Sequence, residues 1–350
     1  MKSISLMRPY IPSGTREAVD EVLRTRWIGQ GPKVNEFERR FSEYVGRPCV
    51  ATGSCTDALH LAYLLAGIGP GDEVVAPVFT CTATNIPLLY CGARIRFADV
   101  APGSLNVSRE TVASAMTEQT KAVVVVHYGG QLARVGQWRV PLIEDCAQAL
   151  GAKHVSRLGD YACYSFQAVK HITTGDGGML ALPERQLAEA KRRRWFGIDR
   201  AAKLNGTWAN DITEVGYKYQ MTDIAAAMGL AGLDALDKQM VVRRNLREAY
   251  AWGLVGIDGI ALLDTDPDSA CWLCTVLVER REEFKRMLAA RGIESDQVHY
   301  RNDRYSIFGD FRGEFPNMDA IDGKYLCLPM HMGLNSEDVQ YICSAVRDGW

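Results

Sequence analysis

The stretch YACYSFQAVKHITTGDGGML sets a hydroxyl at Ser165 and an amine at Lys170 ahead of a turn of Thr173, Thr174, Gly175, Asp176, Gly177 and Gly178. A lysine between two apolar strand patterns and beside such a turn can be desolvated, its pKa lowered and its amine made nucleophilic toward an aldehyde; a solvated surface charge is the plainer use of the same residue. Upstream, IEDCAQALGA places Glu144 and Asp145 at the end of the apolar run PLI, at the carboxyl edge where open α/β sheets bind ligands. Neighbouring strand residues face opposite sides, so one acid can enter a pocket while the other turns away. A buried carboxylate needs a cationic or protonated partner; a pyridinium nitrogen would be one, and capping the next helix is the alternative use. Earlier still, in TGSCTDALHL, Gly53 follows a strand and Ser54, Cys55 and Thr56 open a helix. Their N–H groups and hydroxyls could hold one phosphate or serve only as an ordinary cap.

Other chemistries are disfavoured. GIGPGD and TTGDGG fit neither the dinucleotide fingerprint nor the Walker loop. His60, His127, His154, His171, His299 and His331 show no metal-ligand spacing, and Cys271 and Cys274 form a C-x-x-C without a second pair, so no metal is expected. The ten cysteines lie mostly inside apolar runs and read as reduced core thiols.

These residues need a frame. The chain has 350 residues, 47% of them hydrophobic, and 40 Lys+Arg against 42 Asp+Glu give a net charge of -2. That length corresponds to about two domains, and the missing basic excess argues against nucleic acid as a partner. MKSISLMRPYIPSG lacks the apolar core of a signal peptide. The longest apolar stretch, near Leu61 to Ile68, is far short of the about 20 residues that span a bilayer; a cytoplasmic protein without membrane contact is expected. From residue 15 to about 250, helical and strand patterns alternate, as in a mostly parallel sheet covered on both faces. Seven strands are predicted, at CVAT, EVVAP, RIRFAD, KAVVVVHY, PLIED, YACYSF and GGMLAL. Phe37, Phe41 and Tyr44 mark one helix face, and Ala58, Leu61, Ala62 and Leu65 the core side of a helix starting at Ser54. After a long amphipathic stretch from Met221 to Trp252 the style changes to the strand CWLCTVLVE, the helix RREEFKRMLAARG and a closing helix from Ser336. A large domain at 1–250 and a smaller C-terminal α+β domain at 251–350 are expected.

Six ordered blocks then resemble the DegT/DnrJ/EryC1/StrS family of pyridoxal-phosphate (PLP) enzymes acting on nucleotide-linked sugars. They are RWIGQGPKVNEFERRFSEYVG, TGSCTDALHLAYLLAGIGPGDEVVAPVFT, IEDCAQALGA, SFQAVKHITTGDGGM, VGYKYQMTDIAAAMGL and LPMHMGLNSEDV. The resemblance implies a fold-type-I α/β homodimer with Lys170 as the Schiff-base lysine, Asp145 at the pyridine nitrogen and Gln148 beside the ring. Ser54, Cys55 and Ser165 would hold the phosphate, joined by Lys218 from the partner subunit. Trp27, Arg200 and His331 fall in blocks resembling those that line the sugar-nucleotide site, or are structural; Arg200, Arg301 and Arg304 are candidate cations for the pyrophosphate. The chain departs from the commoner family form in having Lys218 for Asn and Gln220 for Arg. It also has Cys81 where many relatives stack an aromatic ring on the pyridine, a role left to Tyr128 or Phe79. The expected activity is transfer of an amino group from glutamate to a keto group of a nucleotide-linked deoxysugar. A dehydratase on the same scaffold is the first rival, disfavoured because position 170 is lysine rather than histidine. A non-enzymatic sugar-nucleotide regulator is the second.

Overall fold

The computed structural model describes residues 3–204, 206–207, 211–263, 266–309 and 313–350. The seven apolar runs become β1 (Cys49–Thr52), β2 (Glu73–Pro77), β4 (Arg94–Ala98), β5 (Thr120–Val126), β6 (Leu142–Asp145), β7 (Tyr161–Ser165) and β8 (Gly178–Ala181), with the short β3 (Phe79–Thr80) outside their sheet. Their order is β1-β8-β7-β6-β5-β2-β4. All neighbours are parallel except β8, which runs against β7 and β1. Along β5, Ala122 and Val124 face the layer built on helix Cys55–Leu65, whereas Val123 and Val125 face Val107 and Val112 on the other side. Burial on both faces is what an unbroken valine run requires.

Helix Pro32–Val45 packs Phe37 and Phe41 against Phe166, with ring centroids 5.2 and 5.6 Å away. Tyr44, expected on the same face, is 41% exposed; one further turn carries it past the sheet. Because β1, β6 and β7 point the same way, Thr52, Asp145 and Ser165 end at one edge.

A second, antiparallel sheet is formed by β9 (Ile260–Leu262), β10 (Cys274–Val278) and β12 (Tyr325–Leu328), in the order β12-β10-β9. Its core takes in helices Arg281–Ala290 and Ser336–Gly349 and also Ile4. β11 (Tyr300–Arg301) pairs with β3 and so ties this half to the edge of the large sheet. The stretch from Met221 to Trp252 divides into helices Asp223–Asp234 and Leu236–Leu254. The second of these places Leu236 and Met240 in a core of the large sheet and Leu246, Tyr250 and Leu254 in that of the small one. The expected division at 250 therefore falls inside a helix. All ten cysteines are free thiols.

Candidate active site

Asp145, the last residue of β6, is buried. Its carboxylate accepts hydrogen bonds from Thr84 Oγ1 at 2.7 Å and from the Ala147 N–H at 3.0 Å. Helix Thr82–Tyr90 delivers Thr84, whose hydroxyl also meets Thr80 Oγ1 at 2.8 Å. Burial pushes the Asp145 carboxyl up, and the two hydrogen bonds and the nearby Lys170 charge only partly counter it. Lys170 is half-buried on the turn after β7. Desolvation lowers its amine to about 8, against the pull of Asp145, Cys81 and Cys55.

Glu144 takes the opposite side of β6. One carboxylate oxygen lies 3.0 Å from His127 Nε2 and the other accepts the Gly159 N–H at 2.7 Å. His127 Nδ1 accepts from the Ala133 N–H at 3.1 Å, so Nε2 carries the proton given to Glu144. His127, Glu144 and Cys146 have ligand atoms within 4.8 Å of one another, a grouping that sequence spacing did not reveal. Hydrogen bonds already engage both imidazole nitrogens and both Glu144 oxygens.

Ser54 caps helix Cys55–Leu65, its hydroxyl accepting from the Asp57 N–H at 3.0 Å. Gly178 lies directly under this turn: a Cβ there would run into the Ser54 carbonyl and lie 2.6 Å from Cys55 N. In the ladder Gly178 faces Ser165, so Ser54, Cys55 and Ser165 are gathered at one helix N-terminus. Gln148 is buried, and its side-chain oxygen accepts the Gly129 N–H at 2.7 Å. Cys81 is half-buried close enough to Lys170 and Asp145 to feel both charges. Lys218 is exposed on a segment bridged to Trp195, and Gln220 beside it bridges to Thr52, next to the Ser54 turn.

Several expectations change. Arg301 is withdrawn from the substrate candidates because its guanidinium is buried, forked onto Asp303 at 2.7 Å and paired with Asp319. His331 is likewise structural: Nδ1 accepts the Gly333 N–H and Nε2 donates to Ser5 O, at 3.1 and 3.0 Å. Tyr128 and Phe79, the two candidates for the ring cover, are packed core residues. They are buried edge to face at 5.2 Å in a core shared with the C-terminal half. Arg304 stays exposed, resting over Tyr300 and Tyr305. Trp27 and Arg200 both donate to Gln30 O, and they line with Arg194 and Trp195 a cavity of about 500 Å³. The sequence reading missed Trp272, whose ring centroid is 3.5 Å from Lys170 Nζ. Nothing in its strand-like run CWLCTVLV marks it, since its partner Val169 is 103 positions away.

A lysine amine of lowered pKa, a deeply buried carboxylate with hydroxyl and N–H partners, and a hydroxyl-rich helix N-terminus meet at the carboxyl edge of a mostly parallel seven-stranded sheet. These donors fit a phosphorylated pyridine aldehyde, and with this sheet they define a PLP-dependent enzyme of fold type I. The profile of the DegT/DnrJ/EryC1/StrS aminotransferase family matches residues 9–347, and the chain belongs to that family. It is 31% identical over 364 residues to GDP-perosamine synthase of Escherichia coli O157:H7, covering 99% of each chain. It is 30% identical over 368 residues to the dTDP-4-dehydro-2,3,6-trideoxy-D-glucose 4-aminotransferase of Saccharopolyspora spinosa, covering 97% of this chain and 94% of that one. The PLP form of Spr1654 from Streptococcus pneumoniae, a proposed sugar aminotransferase, superposes with a TM-score of 0.90 at 27% identity over the whole of both chains. The protein is thus a PLP-dependent enzyme of a sugar aminotransferase family, and among the described residues no helix is long and apolar enough to cross a membrane.

Proposed function

We propose that this enzyme moves an amino group from glutamate to a keto group of a nucleotide-linked deoxysugar, working as a homodimer. The observation that carries this reading is Lys170, its amine lowered to about 8, facing the buried Asp145. When bound, PLP supplies the electron sink that amino transfer needs. Asp145 would keep the pyridine nitrogen protonated, its charge confined by Thr84 and Ala147. Lys170, with close to equal neutral and charged forms near pH 8, would take and return the migrating proton as general base and acid. Ser54, Cys55 and Ser165 would hold the phosphate at the helix N-terminus, with Gln148 beside the ring and the exposed Lys218 reaching the partner's site. Trp27, Arg200 and Arg304 are the candidate contacts for the sugar nucleotide. His171, the imidazole an eliminating enzyme would need, is buried and held 2.9 Å from Ala270 O, which favours transfer. The names of the GDP- and dTDP-sugar relatives support the substrate class.

The test uses PLP-loaded protein. Glutamate alone should yield stoichiometric 2-oxoglutarate and the pyridoxamine form, and one of a panel of UDP-, dTDP-, GDP- and CDP-linked keto sugars should restore the starting form and appear as an amino sugar. A deoxygenated sugar with released ammonia would instead make the enzyme a dehydratase.

A further inference from the structure

Trp272 stands just before β10 and is buried. Its backbone N–H donates to Gly129 O at 2.8 Å, and its indole N–H donates to Val169 O at 3.0 Å, the residue before Lys170. The indole is thus fastened to the turn that carries the lysine, with its face 3.5 Å from the Lys170 amine. His299 lies nearly parallel to it at 19°, centroids 6.3 Å apart, in a left-handed backbone conformation with φ 71°. Its buried Nε2 has no hydrogen-bond partner among the described residues. A non-glycine residue held in that conformation is strained, and such strain concentrates at functional sites.

An indole face attracts a cation far more than the neutral amine. We propose that Trp272 is a positioning residue, an indole platform that receives the Lys170 amine as an ammonium whenever the amine is not covalently engaged and keeps it, with its proton, beside Asp145. The inference rests on the PLP reading above. The other groups facing the amine are Asp145 from β6, Cys55 from helix Cys55–Leu65, Cys81 ahead of helix Thr82–Tyr90, and His299, which burial and Lys170 lower to about 3. Desolvation draws the amine down to about 8, and the platform opposes it.

Two measurements on cofactor-free protein test this. The rate of PLP capture, followed by absorbance against pH, should have its midpoint at or above 8 in the wild type, because the value of about 8 set by burial and the neighbouring charges includes nothing from the indole. Trp272→Leu should move it down by about one unit, capturing about tenfold faster at acid pH, while Trp272→Phe, which keeps an aromatic face, should stay close to wild type. A Leu variant that is unshifted or shifted upward, or a Phe variant shifted as far as Leu, overturns the platform. Tryptophan fluorescence of the wild type should show a transition near the same pH that is absent from Lys170→Met; no such transition overturns the platform even if a Trp272 variant fails to fold. Failure of the wild type to capture PLP would refute the cofactor reading instead, whereas capture indifferent to Trp272 refutes only the platform.

Discussion

Replacing Asp145 with asparagine and, separately, Glu144 with glutamine contrasts two adjacent isosteric changes on opposite sides of one strand. At position 145 the amide oxygen can still accept from Ala147 N–H, and the Thr84 hydroxyl can turn toward Thr80, 2.8 Å away, and accept from the new amide. The hydrogen bonds survive, so the local fold should be kept. The charge does not survive, and removing one partner of a buried ion pair costs about 3–5 kcal/mol. At about 1.36 kcal/mol per factor of ten, turnover should fall roughly 10²- to 10⁴-fold. At position 144 both carboxylate oxygens face donors, His127 Nε2–H and Gly159 N–H, so a glutamine must turn its NH₂ toward one of them. Switching the histidine tautomer only moves the conflict to Ala133 N–H. That unsatisfied contact should cost about 1–3 kcal/mol of stability while leaving turnover per folded molecule nearly unchanged. The assay pairs a stopped-flow glutamate half-reaction with thermal melts of each variant. Equal losses of turnover, or a larger loss from Glu144→Gln, would refute the assignment of the two faces.

Lys170→Ala should abolish turnover, and borohydride reduction of the PLP-loaded wild type should leave the pyridoxyl group on Lys170 in peptide maps. Without cofactor at pH 7, below the folded value of about 8, the wild type carries an ammonium disfavoured by burial, so the alanine variant should melt no lower; this penalty fades as pH rises from 8 toward 10.5. Inactive Lys170→Ala and Lys218→Ala subunits, when mixed, should regain activity if Lys218 serves the partner's site, and no recovery despite demonstrated exchange would assign it elsewhere. Gly178→Ala should weaken PLP binding, measured by equilibrium titration, more than it lowers the melting temperature, because the added methyl displaces the Ser54 turn.

Legibility followed the length scale of each interaction. The seven strands were readable because each apolar run is self-contained, and the helix start at Ser54 because its cap is a local hydrogen bond. The pairing of β3 with β11 was not readable, since two-residue strands more than 200 positions apart leave no periodicity. Arg301 looked like a free cation because Asp319, which pairs with it, comes from helix Pro316–Ile321, well away along the chain. Trp272 and Thr84 sit in runs whose pattern says only strand or helix, whereas Lys170 and Asp145, the lysine and acid proposed for the site, stand out in the sequence by their Gly-rich and strand-end contexts. The break at Ala235, where the chain passes from one helix into the next, has no Pro or Gly at the junction itself; Gly232 in the last turn, whose carbonyl accepts the Ala235 N–H, is the only glycine close to it.

Helix Leu236–Leu254 behaves as a shared beam. One end is built into the core under the large sheet and the other into the core of the small one, and between them buried Arg243 donates to the carbonyls of Cys271 and Met330 at 3.2 and 3.3 Å. The small sheet cannot detach without unseating the beam, and the beam cannot shift without disturbing Cys271, whose neighbour is the indole under Lys170. Loss of order in either core thus reaches the Lys170 amine through the Cys271–Trp272 segment, which ties the geometry around that lysine to the integrity of the whole chain rather than to the sheet that bears it.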